Sequence, residues 1–138
     1  MCYIDSCAKK ESDVVLSAGN TGALMALSKL ILKTVDGIER PAITALWPNP
    51  KGNSVVLDLG ANIDISANQL VQFGIMGYAY ALCVLKNENP KVAILNIGHE
   101  EMKGSNNLQE AYDKLSNIFS SNFIGFVEGD DLSKGTSD

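Results

Sequence analysis

The sequence predicts an α/β fold, a doubly wound and largely parallel sheet with helices on both faces. Three observations predict it. Short β-branched runs alternate with longer segments of helical spacing. The short runs are apolar throughout, as expected of strands covered on both faces. Glycine and proline punctuate the boundaries between the two kinds of segment.

The elements follow in order. Residues Cys2–Lys10 read as the end of a helix. Val14–Leu16 reads as a short strand, running into Ser17-Ala18-Gly19-Asn20-Thr21-Gly22. From Ala23 to Lys33, Leu24, Leu27 and Ile31 recur at helical spacing, and Gly37 and Pro41 break that helix. Ala42–Leu46 is a strand stopped by Pro48 and Pro50. A Lys51-Gly52-Asn53 turn leads to a second strand, Ser54–Asp58. Asn68–Leu85 is the longest helix. Pro90 precedes the strand Val92–Asn96, Asn106–Ser120 is an amphipathic helix, and Phe123–Val127 is the last strand.

Bulk properties narrow the function. A length of 138 residues fits a single domain, 1–138. With 46% hydrophobic and 20% charged residues the chain is globular. Its net charge of -5, from 16 acidic and 11 basic residues, argues against nucleic acid as a partner. It leaves room for one small anion, which local amides and a lysine can hold. Cys2, Cys7 and Cys83 are odd in number and show no paired spacing. A disulfide framework or a metal site is therefore not expected, and a reducing cytoplasm is. The start carries no signal-peptide pattern, and no apolar run reaches the roughly 18 residues of a membrane span.

Ligands of parallel sheets bind at the carboxyl ends of strands, and three such ends carry unusual residues. In the first, Ser17, Gly19, Asn20, Thr21 and Gly22 lead into a helix. Glycines there let amides approach an anion at the helix N-terminus. The plainer reading is a tight turn in which Asn20 or Thr21 caps the helix. In the second, Asp58 ends its strand and Asn62 follows in the loop. Asp58 could orient a ligand or a lysine, or simply cap loop amides. In the third, Glu100, Glu101, Lys103 and Gly104 form the densest ionisable cluster of the chain. Lys103 suits a cation placed for an anionic transition state. The glutamates also suit a helix start. His99 reads as an exposed loop residue, Cys83 as core, and Asp130 and Asp131 as solvated. Trp47 reads as a packed strand-end residue, and Tyr78 and Tyr80 point in different directions on one helix.

Six segments occur together in order: VLSAGNTGAL, IERPAITAL, LDLGANID, LVQFGIMGYAYA, NPKVAILNIGHEEMKG and FIGFVEGDDL. In order and spacing they resemble the PlsX-type phosphate acyltransferases, from about Val14 to about Leu132. The resemblance implies transfer of a fatty acyl group from acyl carrier protein to inorganic phosphate, giving acyl-phosphate for phospholipid synthesis. It implies a fold like isocitrate dehydrogenases and phosphotransacetylases, a homodimer, and a cytoplasmic enzyme peripherally associated with the membrane. No cofactor is implied beyond the phosphopantetheine of the acyl carrier protein. Lys103 would contact phosphate or the developing charge as the catalytic residue. Ser17, Gly19, Asn20, Thr21 and Gly22 would offer donors to phosphate. Asp58 and Asn62 would shape the floor or hold the lysine, while Glu100, Glu101 and Gly104 complete the cluster.

The resemblance also implies a longer chain, with an opening Asp-Ala-Met-Gly-Gly-Asp strand and a later Asp-Gly-Phe-x-Gly-Asn strand. The chain therefore reads as the central, truncated portion of such an enzyme, exposing the edge where a strand is missing. Two rival readings stand beside it. One is a non-catalytic module that keeps dimer or carrier-protein contacts. The other is a short-chain phosphate acetyl- or butyryltransferase using coenzyme A thioesters. A dehydrogenase fits less well, because no GxGxxG with a distant acidic residue follows a strand.

Overall fold

The computed structural model describes residues 2–59, 65–96 and 106–138. The chain divides into two compact units, residues 1–41 and 42–138.

In the first unit, α1 (Cys2–Ala8) packs against α2 (Thr21–Leu32). Asn20 starts α2 by accepting a hydrogen bond from the Ala23 amide at 2.9 Å. That satisfies one of the amides a helix start leaves without an internal partner. Ile4 is buried, whereas α2 buries no residue. The strand expected at Val14–Leu16 does not form. Its residues pair with no strand among the described residues, and Leu16 is 96% exposed. A strand needs a neighbour whose peptide groups complete the ladder, and none stands beside Val14–Leu16 among the described residues.

The second unit carries two two-stranded sheets rather than the single largely parallel sheet expected. In the first sheet β1 (Thr44–Asn49) pairs antiparallel with β2 (Gly52–Leu57). Only Pro50 and Lys51 separate these strands. So short a connection makes a hairpin, since a parallel pair needs a crossover of a dozen or more residues. The Asn49 side chain stabilises the turn by accepting the Lys51 amide at 2.8 Å. Pro48 does not stop the strand, as expected, but sits within it opposite Asn53. A proline is tolerated there because β1 is an edge strand.

In the second sheet β3 (Val92–Leu95) pairs parallel with β4 (Phe123–Val127). The register slips between Val92 and Ile94. Gly125 at φ +85° lies at this irregularity, where the extra residue of a bulge often needs left-handed backbone.

Helices cover the strands. Ser66 and Gln69 cap each other reciprocally at the start of α3 (Ala67–Cys83). This helix packs on β2, on β3 and on α4 (Asn106–Phe119). Gly74 and Gly77 permit the approach. A Cβ at Gly74 would stand 2.8 Å from Leu115, and one at Gly77 would stand 2.9 Å from Leu57. The core joins Ala67, Val71, Ile94, Ala111, Leu115 and Phe126. Ala67/Val71 and Ala111/Leu115 are each four apart, so each helix turns one stripe inward. Cys83, expected in the core, is exposed because it is the last residue of α3. A helix not foreseen in the sequence, α5 (Gly129–Lys134), follows β4. Trp47 is 43% exposed on β1, while Tyr78 stacks on Phe119, with ring centroids 4.9 Å apart.

Candidate functional site

The expected site residues fall into three groups. Ser17, Gly19, Asn20, Thr21 and Gly22 lie in the first unit, all exposed, at the N-terminus of α2. The Ser17 hydroxyl accepts the Gly19 amide at 3.2 Å, and the Asn20 carbonyl oxygen accepts the Ala23 amide. The capping reading of Asn20 is thus realised. Gly19 and Gly22 do not carry positive φ. Nor do they face crowding beyond the side chains of Ser17 and Asn20. Backbone twist therefore does not demand glycine at either position. What the glycines achieve is a bare outer surface over the first turn of a 12-residue helix, where amides and dipole favour an anion.

Asp58 lies in the second unit, half-buried where β2 ends. Its amide donates to the Ile43 carbonyl at 2.8 Å, extending the hairpin ladder by one step. Its φ is +60°, a left-handed conformation that aspartate tolerates better than most residues but still at some cost. Such backbone is often kept where a side chain must be aimed. Asp58 lines a cavity of about 380 Å³. Asn62, Glu100, Glu101, Lys103 and Gly104 lie outside the described residues, as does His99.

The described residues that flank these two segments are informative. One segment leaves after Leu59 and returns at Ile65, and the other leaves after Asn96 and returns at Asn106. The Asn107 side chain donates to the Ile65 carbonyl at 3.0 Å, so the two return points are tied together. Ile65 and Leu108 line the same cavity as Asp58 and Leu95. Nearby, Lys114 on α4 reaches Asn68 on α3 at 2.7 Å and Glu110 at 2.6 Å. Ile65 and Leu108 thus lie with Asp58 along one cavity, and Asn107 is bonded to Ile65 at its rim. No sequence signal marked Asn107 or Ile65 for this role, because the bond spans 42 residues and involves a backbone carbonyl.

The comparisons with known proteins agree over nearly the whole chain. The family described as fatty acid synthesis protein matches residues 1–138. A phosphate acyltransferase of Sinorhizobium fredii is 50% identical over 137 residues, covering 98% of this chain and 40% of the relative. One from Methylococcus capsulatus is 50% identical over 135 residues, with the same two shares. One from Rhizobium leguminosarum is 52% identical over 137 residues, covering 98% of this chain and 39% of the relative. The chain thus spans about 40% of the length of the curated relatives it matches.

Proposed function

This chain belongs to the fatty acid synthesis protein family, and on that premise we propose that it forms the central part of a PlsX-type phosphate acyltransferase. The observation that carries the proposal is the match to phosphate acyltransferases, 50% identical over 98% of the chain. The reaction is transfer of an acyl group from acyl carrier protein to inorganic phosphate. A phosphate oxygen attacks the thioester carbonyl, the C–S bond breaks, and the pantetheine thiolate leaves and takes a proton. Phosphate is itself the nucleophile, so the protein's tasks are to hold it against the thioester and to stabilise the oxyanion.

Lys103 takes the second task and helps with the first, as a compact cation beside an anionic transition state. The turn from Ser17 to Gly22 offers amides and side-chain donors to phosphate oxygens. Asp58 and Asn62 position Lys103 or the floor beneath phosphate. Glu100 and Glu101 orient their neighbours, and Gly104 leaves room for the anion. The tie between Asn107 and Ile65, and the cavity that Ile65 and Leu108 share with Asp58, support this grouping. On the same premise the whole protein is a homodimer with a doubly wound, largely parallel sheet, of which residues 1–138 form part of one domain. It works in the cytoplasm and touches the membrane only peripherally. Among the described residues no helix is long and apolar enough to cross a membrane.

The test uses the whole protein, at the length of its relatives, with long-chain acyl carrier protein and inorganic phosphate. Acyl-phosphate and free carrier thiol are expected in equal amounts, and only when phosphate is present. Turnover of acetyl- or butyryl-coenzyme A in place of acyl carrier protein would shift the reading to short-chain phosphate acyl transfer. Release of free fatty acid without phosphate would overturn it.

A further inference from the structure

One exposed side chain of α4 bonds to the residue at which α3 is entered. Asn107, in the first turn of α4, donates from Nδ2 to the Ile65 carbonyl at 3.0 Å. Neither helix depends on this bond. The ladder of α3 opens with the Ser66 carbonyl, which accepts the Leu70 amide at 3.1 Å. Ser66 and Gln69 cap each other in addition. The Ile65 carbonyl lies outside that ladder, so α3 is complete without a partner for it. For α4, the bond engages the donor end of the Asn107 amide, whereas the free amides of a helix start require acceptors. An exposed hydrogen bond of this kind replaces one made to water and adds little to stability. Its effect is on geometry.

A second tie runs beside it. Lys114 Nζ reaches Asn68 Oδ1 at 2.7 Å and Glu110 at 2.6 Å. Asn107 and Lys114 are two turns apart on one face of α4. Lys114 bonds within α3, whereas Asn107 bonds to the residue that precedes its cap. Lys114 thus links helix to helix, and Asn107 links α4 to the end of a connection. At the other end of that connection the Asp58 amide donates to the Ile43 carbonyl at 2.8 Å. The hairpin therefore holds one end and α4 the other. Asp58, Ile65 and Leu108 line one cavity.

Along the chain Asn62 precedes Ile65 by three residues, and Lys103 precedes Asn107 by four. Extended chain gains no more than about 3.6 Å per residue. Tethers this short make the reach of both residues depend on where Ile65 and Asn107 are held.

We propose that Asn107 is a positioning residue for phosphate. Through the Ile65 carbonyl it sets the separation of the two connections, so that groups carried on both meet the same anion. It touches neither phosphate nor thioester. The inference rests on the phosphate acyltransferase reading and adds to it a residue that the reading does not contain.

The test measures kcat and KM for inorganic phosphate in the whole protein, with long-chain acyl carrier protein in excess. The variants are Asn107→Ala, Asn107→Asp, Asn107→Gln and Lys114→Met. Asn107→Ala is expected to raise KM for phosphate about tenfold while kcat falls less than about threefold. Asn107→Asp should do no better, since a carboxylate has no hydrogen to give the Ile65 carbonyl. Asn107→Gln keeps the amide donor and should recover most of the lost phosphate affinity. Lys114→Met cuts the helix-to-helix tie and should leave both constants near their unaltered values. The denaturant midpoint of Asn107→Ala should stay close to that of the unaltered protein.

An unchanged KM in Asn107→Ala would overturn the proposal. So would a midpoint that falls together with kcat at constant KM, the mark of a bond that only holds the fold. An equal rise in KM for Lys114→Met would trace the effect to helix packing and would also overturn it. Absence of acyl-phosphate from the unaltered protein would remove the underlying reading and this inference together. Normal constants for Asn107→Ala beside an active unaltered protein would remove this inference alone.

Discussion

Residues 3–41 and residues 42–138 draw on similar side chains and use them differently. In the first unit Val14, Leu16, Leu30 and Val35 are each more than 70% exposed, and Ile4 alone is buried among the described hydrophobics. In the second, α3, α4, β3 and β4 close around Leu115 and Ala111, which are 1% and 0% exposed. α2 is held by a cap, by its own hydrogen bonds and by α1, yet it buries none of its residues fully, and a helix of its length is marginal in water without deeper packing. The second unit has far more burial across elements than the first, where Ile4 is the buried hydrophobic among the described residues. Helical spacing in a sequence announces a helix, but only a partner surface makes it stable.

The largest expected effect separates the two units. Leu115→Ala should destabilise the second unit by about 3 kcal/mol, through lost burial and the cavity left against Gly74 and Val71. Denaturant unfolding followed at the core aromatics Tyr112 and Phe126 would show it, while exchange of the α2 amides should not move. Loss of α2 in the same variant would mean that the two units are energetically one, and the contrast drawn here would fail.

Asn20→Ala should cost α2 about 1 kcal/mol by removing the acceptor of the Ala23 amide. Asn20→Asp should retain most of the cap. Exchange rates across Thr21–Leu24 are the readout, and the second unit's unfolding midpoint should stay in place. An unchanged first turn would show that something other than the cap holds the turn from Ser17 to Gly22.

The smallest effect lies on α5, where Asp130 and Lys134 are exposed and 2.6 Å apart. The hydrogen bond and charge of Lys134 hold the Asp130 carboxyl below its ordinary value, and Asp130 raises Lys134 in return. The carboxylate's contribution is present above the ordinary carboxylate range and is lost as pH falls through the lowered value. The lysine's contribution is present below its ordinary value and is lost as pH rises through the raised one. Lys134→Ala should therefore let the Asp130 titration, followed by carbon NMR, move back upward, and added salt should shrink the difference. An unmoved titration would mean that the pair does not hold in solution.

Much of this fold was legible in the sequence because the pattern and the packing agree. Phe123–Val127 forms the strand its residues announce. The helices at Ala67–Cys83 and Asn106–Phe119 lie within two residues of the bounds expected, Asn68–Leu85 and Asn106–Ser120. Failures occurred where the deciding contact is distant or the turn is short. Val14–Leu16 has strand composition but no strand beside it. The hairpin follows from two turn residues, Pro50 and Lys51, which forbid a crossover. α5 was missed because its six residues depend on Glu128, Asp131 and Gly135 rather than on any periodicity.

The site was legible in parts. The cap at Asn20 and the strand end at Asp58 follow from local residue types, and both are where the sequence put them. The left-handed backbone of Asp58 and the Asn107–Ile65 tie depend on how loops close, which no local pattern records. Asn62, Glu100, Glu101, Lys103 and Gly104, outside the described residues, retain the roles proposed from the family.

The measurement that bears most directly on the proposed chemistry compares the whole protein with its Lys103→Ala variant across a range of phosphate concentrations. The account predicts saturable, phosphate-dependent formation of acyl-phosphate in the unaltered protein and a loss of about 100-fold or more in the variant, as removal of a transition-state donor does. Phosphate-dependent turnover that survives Lys103→Ala at near-normal rate would contradict the central role given to Lys103.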